Sequence, residues 1–171
     1  GLYDPADKAL YVVDTFNPQG FIGQMILSHE IGHAIQDANH DLADFVLEEP
    51  HLDFQTAKQA LVEGDATVLM VEWGRENFNI ASLMSIMGEF QQEMDALQDA
   101  PQAVVQDMLF AYMGGAEFCL KVQAQHPSDW RRRVYRDPPR STEQILHPAK
   151  YLADKRDMPV EVNLPQPEDD S

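Results

Sequence analysis

The chain has 171 residues, with 29 Asp and Glu against 12 Lys and Arg, and a net charge of −17. That field repels nucleic acid and anionic membrane surfaces, so neither is an expected partner, and it draws cations instead. The length suffices for one domain with a real core, the single cysteine rules out an internal disulfide, and no run of 18 apolar residues offers a membrane span.

The sequence starts at Gly1 within what reads as folded chain and shows no signal peptide; its compartment is therefore not legible, and a further domain outside it is an open expectation. Residues 2–3 and 9–15 flank the turn Asp4-Pro5-Ala6-Asp7-Lys8 and predict a hairpin, whose second run, Leu10-Tyr11-Val12-Val13, is apolar enough to pack on a helix. Asn17-Pro18-Gln19-Gly20 breaks the chain. A helix over 21–38 follows, with Phe21, Ile22, Met25, Ile26 and Leu27 early and Ile31, Ala34 and Ile35 late, and it reads as buried. Asn39 and His40 end it, and 41–53 reads as an acidic loop with a short helix. A second long helix is predicted over 56–75, with Leu61, Val68, Leu69 and Val71 as its apolar positions. A third spans 80–97, where Met84, Met87, Phe90 and Met94 recur at helical spacing as core filling.

Pro101 opens a helix over 102–125, in which Gly114-Gly115 admits another backbone or bends the axis. His126-Pro127-Ser128-Asp129 stops it, and a short helix over 130–135 follows. Its Arg131-Arg132-Arg133 run, with Arg136, reads as an exposed face answering nearby carboxylates rather than a substrate site. Ser141-Thr142-Glu143 caps a short helix to Leu146. Val160-Glu161-Val162-Asn163-Leu164 alternates like a strand, and 165–171 is an acidic, Pro-rich tail. The expected fold is mainly α (α+β), one domain over 1–164 with a small N-terminal hairpin.

Inside the first helix stands His29-Glu30-Ile31-Gly32-His33. Composition alone gives roughly 0.01–0.02 such matches in a chain of this length. Residues four apart lie about 40° apart around a helix and about 6 Å along it, so both rings project from one face. Two imidazoles so placed supply two corners of a tetrahedral zinc site, and Glu30, on the shoulder of that face, can act there as general base. The bland reading is a pair of rings that only hydrogen-bond to neighbours.

A catalytic zinc takes a third protein ligand. Glu63 is expected to supply it: a lone charge in the apolar run Leu61-Val62-Glu63-Gly64-Asp65-Ala66, next to a glycine that lets two helices approach. Glu72, Glu76, His40 and His51 are the alternatives. Asp65 or Asp37 is expected to accept from a histidine N–H.

His29 through Asp37, followed by Glu63-Gly64-Asp65-Ala66, resembles the gluzincin clan of zinc metallopeptidases, in which a glutamate on a later helix completes a His-His-Glu site. The later stretch Pro138-Pro139-Arg140-Ser141-Thr142-Glu143-Gln144-Ile145-Leu146-His147-Pro148, with Tyr151, is similar to a signature of an uncharacterised bacterial and archaeal zincin-like family. The resemblance implies a zincin-like fold, one zinc ion on His29, His33 and Glu63, a peptide or protein substrate, and Glu30 as base. Thr67 stands where thermolysin-like enzymes carry Asp, and the 30-residue interval from His33 to Glu63 is longer than theirs. A second donor for the developing oxyanion is expected from His147, then Tyr151, then Arg140. The competing expectations are a zincin-fold domain that binds metal without turnover, and a helical domain with no metal.

Overall fold

The computed structural model describes residues 1–47, 51–78 and 100–160. Strands β1 (Leu2–Asp4) and β2 (Ala9–Tyr11) form an antiparallel hairpin, in register Leu2–Tyr11, Tyr3–Leu10 and Asp4–Ala9. The Asp4 carboxylate accepts the Ala6 N–H at 2.8 Å, which closes the turn. The rest is helical: α1 (Phe21–His40), α2 (Leu42–Leu47), α3 (Leu52–Asn77), α4 (Gln102–Leu109), a π turn (Phe110–Gly114), α5 (Gly115–Gln125), α6 (Trp130–Arg136), α7 (Thr142–Leu146) and α8 (Pro148–Leu152). Among the described residues no helix is long and apolar enough to cross a membrane.

Helix α3 is the axis of the molecule, with α1 on one flank and the π turn and α5 on the other. Its Ala57, Ala60, Leu61 and Val68 pack with Phe118, Cys119 and Val122 of α5, Trp130 and Val134 of α6, and Ile145 of α7. The small residues of α3 are what let α5 come this close: a methyl on Gly115 would run into the Ala60 carbonyl. Gly114-Gly115 thus admits a second backbone, as the sequence suggests. Ser141 caps α7 by accepting the Gln144 N–H on its Oγ at 3.3 Å.

Two expectations change. Helix α1 is not a buried apolar helix: Ile31 and Ile35 are 51% and 52% exposed, while His29, Glu30, Gln36 and Asp37 are buried. The polar stripe turns inward because its partners lie on α3 and on the hairpin. The run from Leu10 to Val13 is 39% to 66% exposed rather than buried against a helix; polar contacts from β1 and the turn fasten the hairpin. Tyr3 Oη donates to Asp37 Oδ2 at 2.7 Å and Lys8 Nζ to the same oxygen at 3.0 Å. The helix expected over 102–125 is present to both bounds, with a π turn inside it at Phe110–Gly114. The helix expected over 80–97 and the tail at 165–171 lie outside the described residues, as does the strand at 160–164 apart from Val160.

Candidate metal centre

Helices α1 and α3 bring His29, His33 and Glu63 to one point, so that one ligand atom from each lies within 4.8 Å of the others. His29 Nε2 is 3.0 Å from His33 Nε2 and 3.2 Å from Glu63 Oε2, and His33 Nε2 is 3.4 Å from the same carboxylate oxygen. A tetrahedral ion with bonds of about 2.0–2.1 Å sets its donors about 3.3 Å apart. The three edges match that spacing. A methyl on Gly32, between the two histidines, would sit 3.4 Å from Ala66 and from Leu69, so α1 lies close on α3 at this level.

The far side of His33 decides what its near side offers. His33 Nδ1 lies 2.9 Å from Gln36 Oε1. Gln36 Nε2 donates to the Val62 carbonyl at 3.0 Å and to Asp65 Oδ2 at 3.1 Å, and two acceptors fix which end of the amide is nitrogen. Gln36 Oε1 therefore accepts, His33 Nδ1 carries a proton, and the neutral ring turns its Nε2 lone pair toward His29 and Glu63. Protons serve this triangle less well, because an N–H on one of the three atoms must be shared between the other two. A cation satisfies all three, and the donor set fits a divalent metal.

The charges agree. Burial would raise the Glu63 carboxyl, but hydrogen bonds from His29 and His33 and the charge they carry outweigh it and hold it at about 2. Burial would likewise lower His33, yet the hydrogen bond and charge of Glu63, helped by Gln36 and Glu30, raise it above the ordinary imidazole value. Without metal, a proton on His33 occupies the place of the cation.

A cleft of about 310 Å³ opens beside the triangle, with Glu30, His33, Glu63 and Tyr112 on it and Leu2, Tyr3, Leu42, Val46 and Val62 among its walls. Glu30 is buried, and its Oε2 accepts the Tyr3 backbone N–H at 2.7 Å. Tyr112 sits in the π turn and stacks on the His29 ring, centroids 5.5 Å apart. Burial, then the charges of Glu63 and Glu30 and a hydrogen bond to Glu63, push its phenol up to about 12, so its hydroxyl stays a donor. π turns occur often at functional sites, because the extra residue re-aims side chains.

The structure does not bring the other named residues to the triangle. His147 is exposed, at the junction of α7 and α8. Tyr151 is buried edge-on against Phe118, and its hydroxyl donates to the Asp137 carbonyl at 2.9 Å. Arg140 lies over the Phe54 ring. None of the three lines the cleft. Among the alternative ligands, His40 stacks on Tyr135, Glu72 accepts from Gln123 and Arg131, and Glu76 and His51 are exposed. Asp65 serves His33 through Gln36 rather than directly, and Asp37 holds the hairpin and the Leu42 N–H instead of a histidine. Arg131 is not a free surface cation: its Nε donates to Asp65 Oδ1 at 2.7 Å.

Sequence reasoning missed Gln36 and Tyr112. Gln36 lies seven residues after His29, on the same helical stripe, which is a usable signal; Tyr112 carries none, since the π turn alone aims it. No family model matches this chain, and no curated protein or solved structure matches it either.

Proposed function

We propose that the chain is a zinc-dependent peptidase, with zinc on His29, His33 and Glu63 and Glu30 as general base. One observation carries the reading: three donors at 3.0, 3.2 and 3.4 Å, on a cleft that also presents a buried carboxylate and a protonated phenol. Two imidazoles and one carboxylate form the donor set of many catalytic zinc sites, and they leave a position open. The resemblance of the His29–Asp37 and Glu63–Ala66 stretches to gluzincins supports the same assignment.

When bound, zinc acidifies a water molecule and polarises a carbonyl. Glu30 takes the water's proton on its free carboxylate oxygen, since Oε2 is occupied by Tyr3, and hands it to the leaving amine. Tyr112 donates its O–H to the oxygen that gains charge as the carbonyl is attacked. Leu2, Leu42, Val46 and Val62 give an extended peptide apolar surface to lie on.

A zincin-like domain that binds metal without turnover is the second reading, favoured by one contact: the hairpin already engages Glu30. Metal analysis of the purified chain and Glu30→Gln separate these readings. The first should give one zinc per chain. Below about 0.2 per chain, with no gain on zinc addition, both metal readings fall. Glu30→Gln should keep the zinc and lose about 100-fold or more in cleavage of a mixed peptide library. A wild-type chain that cleaves nothing, or a variant as active as wild type, removes the peptidase reading.

A further inference from the structure

We propose that Asp65, held by Arg131 and Tyr135, is a positioning residue that sets the tautomer of His33 through the amide of Gln36. This rests on the reading of His33 as a metal ligand.

Asp65, on α3, is 1% exposed, and three side chains from two other helices meet on it. Its Oδ2 accepts from Gln36 Nε2 at 3.1 Å and from Tyr135 Oη at 3.0 Å, and its Oδ1 accepts from Arg131 Nε at 2.7 Å. Arg131 reaches on to Glu72 Oε2 at 3.2 Å, and Glu72 accepts from Gln123 Nε2 at 2.9 Å. The order of donors and acceptors runs one way only. A carboxylate solely accepts, so it faces the amide nitrogen of Gln36; the amide oxygen must then face His33 Nδ1, which must carry the proton. The ring's remaining nitrogen is left with its lone pair aimed between His29 and Glu63. Many metal-binding histidines rest directly on a carboxylate. Here a neutral amide intervenes, so the negative charge stays one residue further from the ligand while the direction of the hydrogen bonds is kept. Arg131 and Tyr135 fix the carboxylate that starts the sequence, from a helix 66 residues along the chain from Asp65.

Asp65→Asn tests this with almost no change of shape. Arg131, a pure donor, holds the new amide oxygen, so the Asn nitrogen faces Gln36. If Asp65 sets the order, the Gln36 amide turns over against the Val62 carbonyl and presents N–H to His33 Nδ1, moving the ring proton onto Nε2; if the Val62 carbonyl alone sets it, the amide stays and the ring keeps Nδ1–H. In the metal-free 171-residue chain, above the pH at which imidazole titrates, the 15N shifts of His33 should report Nδ1–H in wild type and Nε2–H in the variant. Zinc affinity, read by chelator competition, should fall about 10- to 100-fold. Gln36→Leu removes the relay and should cost affinity similarly; it decides the matter if Asp65→Asn does not fold. A folded Asp65→Asn, or failing that Gln36→Leu, that keeps Nδ1–H and binds zinc within about threefold of wild type overturns the proposal. The tautomer is read without metal, so a wild-type chain that takes up no zinc removes the peptidase reading and leaves this one to its own result.

Discussion

Gly64 and Gly115 meet backbone to backbone: a methyl on Gly64 would fall on the carbonyl of Gly115, where no rotamer change relieves it. The contact lies next to Glu63 on α3 and one residue past the π turn that carries Tyr112. It therefore sets the distance between the Glu63 carboxylate and the Tyr112 phenol. Gly64→Ala should destabilise the chain by about 3 kcal/mol, because the strain falls on two helix backbones rather than on a flexible side chain. Chemical denaturation gives the number; a loss under about 1 kcal/mol would mean the helices separate easily.

Tyr112→Phe removes the hydroxyl and leaves the ring that stacks on His29. The variant should bind zinc as wild type does and lose about 100-fold in kcat, the usual cost of deleting one oxyanion donor. An unchanged kcat would move the oxyanion role off this residue.

The metal should protect more as pH rises. Glu63 sits at about 2 when folded, below its ordinary 4.5, so its contribution to the metal-free fold is full above 4.5 and is lost as pH falls toward 2. His33 is raised, so its contribution is full below 6.5 and is lost as pH rises through the folded value. The metal-free pair is thus at its best between about 4.5 and 6.5. Zinc must displace the His33 proton, so binding releases protons and tightens with pH through and above 6.5. The gap in Tm between zinc-loaded and metal-free chain should widen from pH 6 to pH 8. A gap that is flat over that range would argue against His33 as a ligand.

Much of this was legible in the sequence, for reasons that differ by residue. His29, Glu30 and His33 were legible because helical geometry converts a spacing of four into one face. Glu63 was legible because a carboxylate in an apolar run needs a partner. Helix α3 runs from Leu52 to Asn77, longer at both ends than its apolar pattern, since its first turn holds Phe54 in the core and its last is polar. Arg131 answers carboxylates as its run suggests, but that one of them is the buried Asp65, 66 residues away, is something no local pattern names. His147 and Tyr151 are chosen by residue type, as hydrogen-bond donors on a later element, and residue type does not fix position; the stretch that carries them builds α7 and α8, where Gln144 and Ile145 are buried.

Asp37 is the hairpin's anchor. Burial would raise its carboxyl, but Tyr3, Lys8 and the Leu42 N–H outweigh burial and lower it. Asp37→Ala also removes the acceptor for the Leu42 N–H at the start of α2. The variant should lose about 2 kcal/mol of stability and open the Tyr3 amide, held by Glu30, and the Ala9 amide, paired across the hairpin with Asp4, to faster hydrogen exchange. Unchanged exchange at both would mean the hairpin is held by something other than Asp37.

The π turn has one more consequence, in the arithmetic of chain length. It holds one residue more than an α-helical path over the same rise. Deleting a single residue from it would let α4 and α5 join as one uninterrupted helix, a change that local hydrogen bonding favours. The same deletion would rotate everything before it by about 100° about the helix axis and swing the phenol off His29. His29, His33 and Glu63 sit on other helices and would not move with it. The placement of the phenol beside His29 rests, at this point, on a single codon.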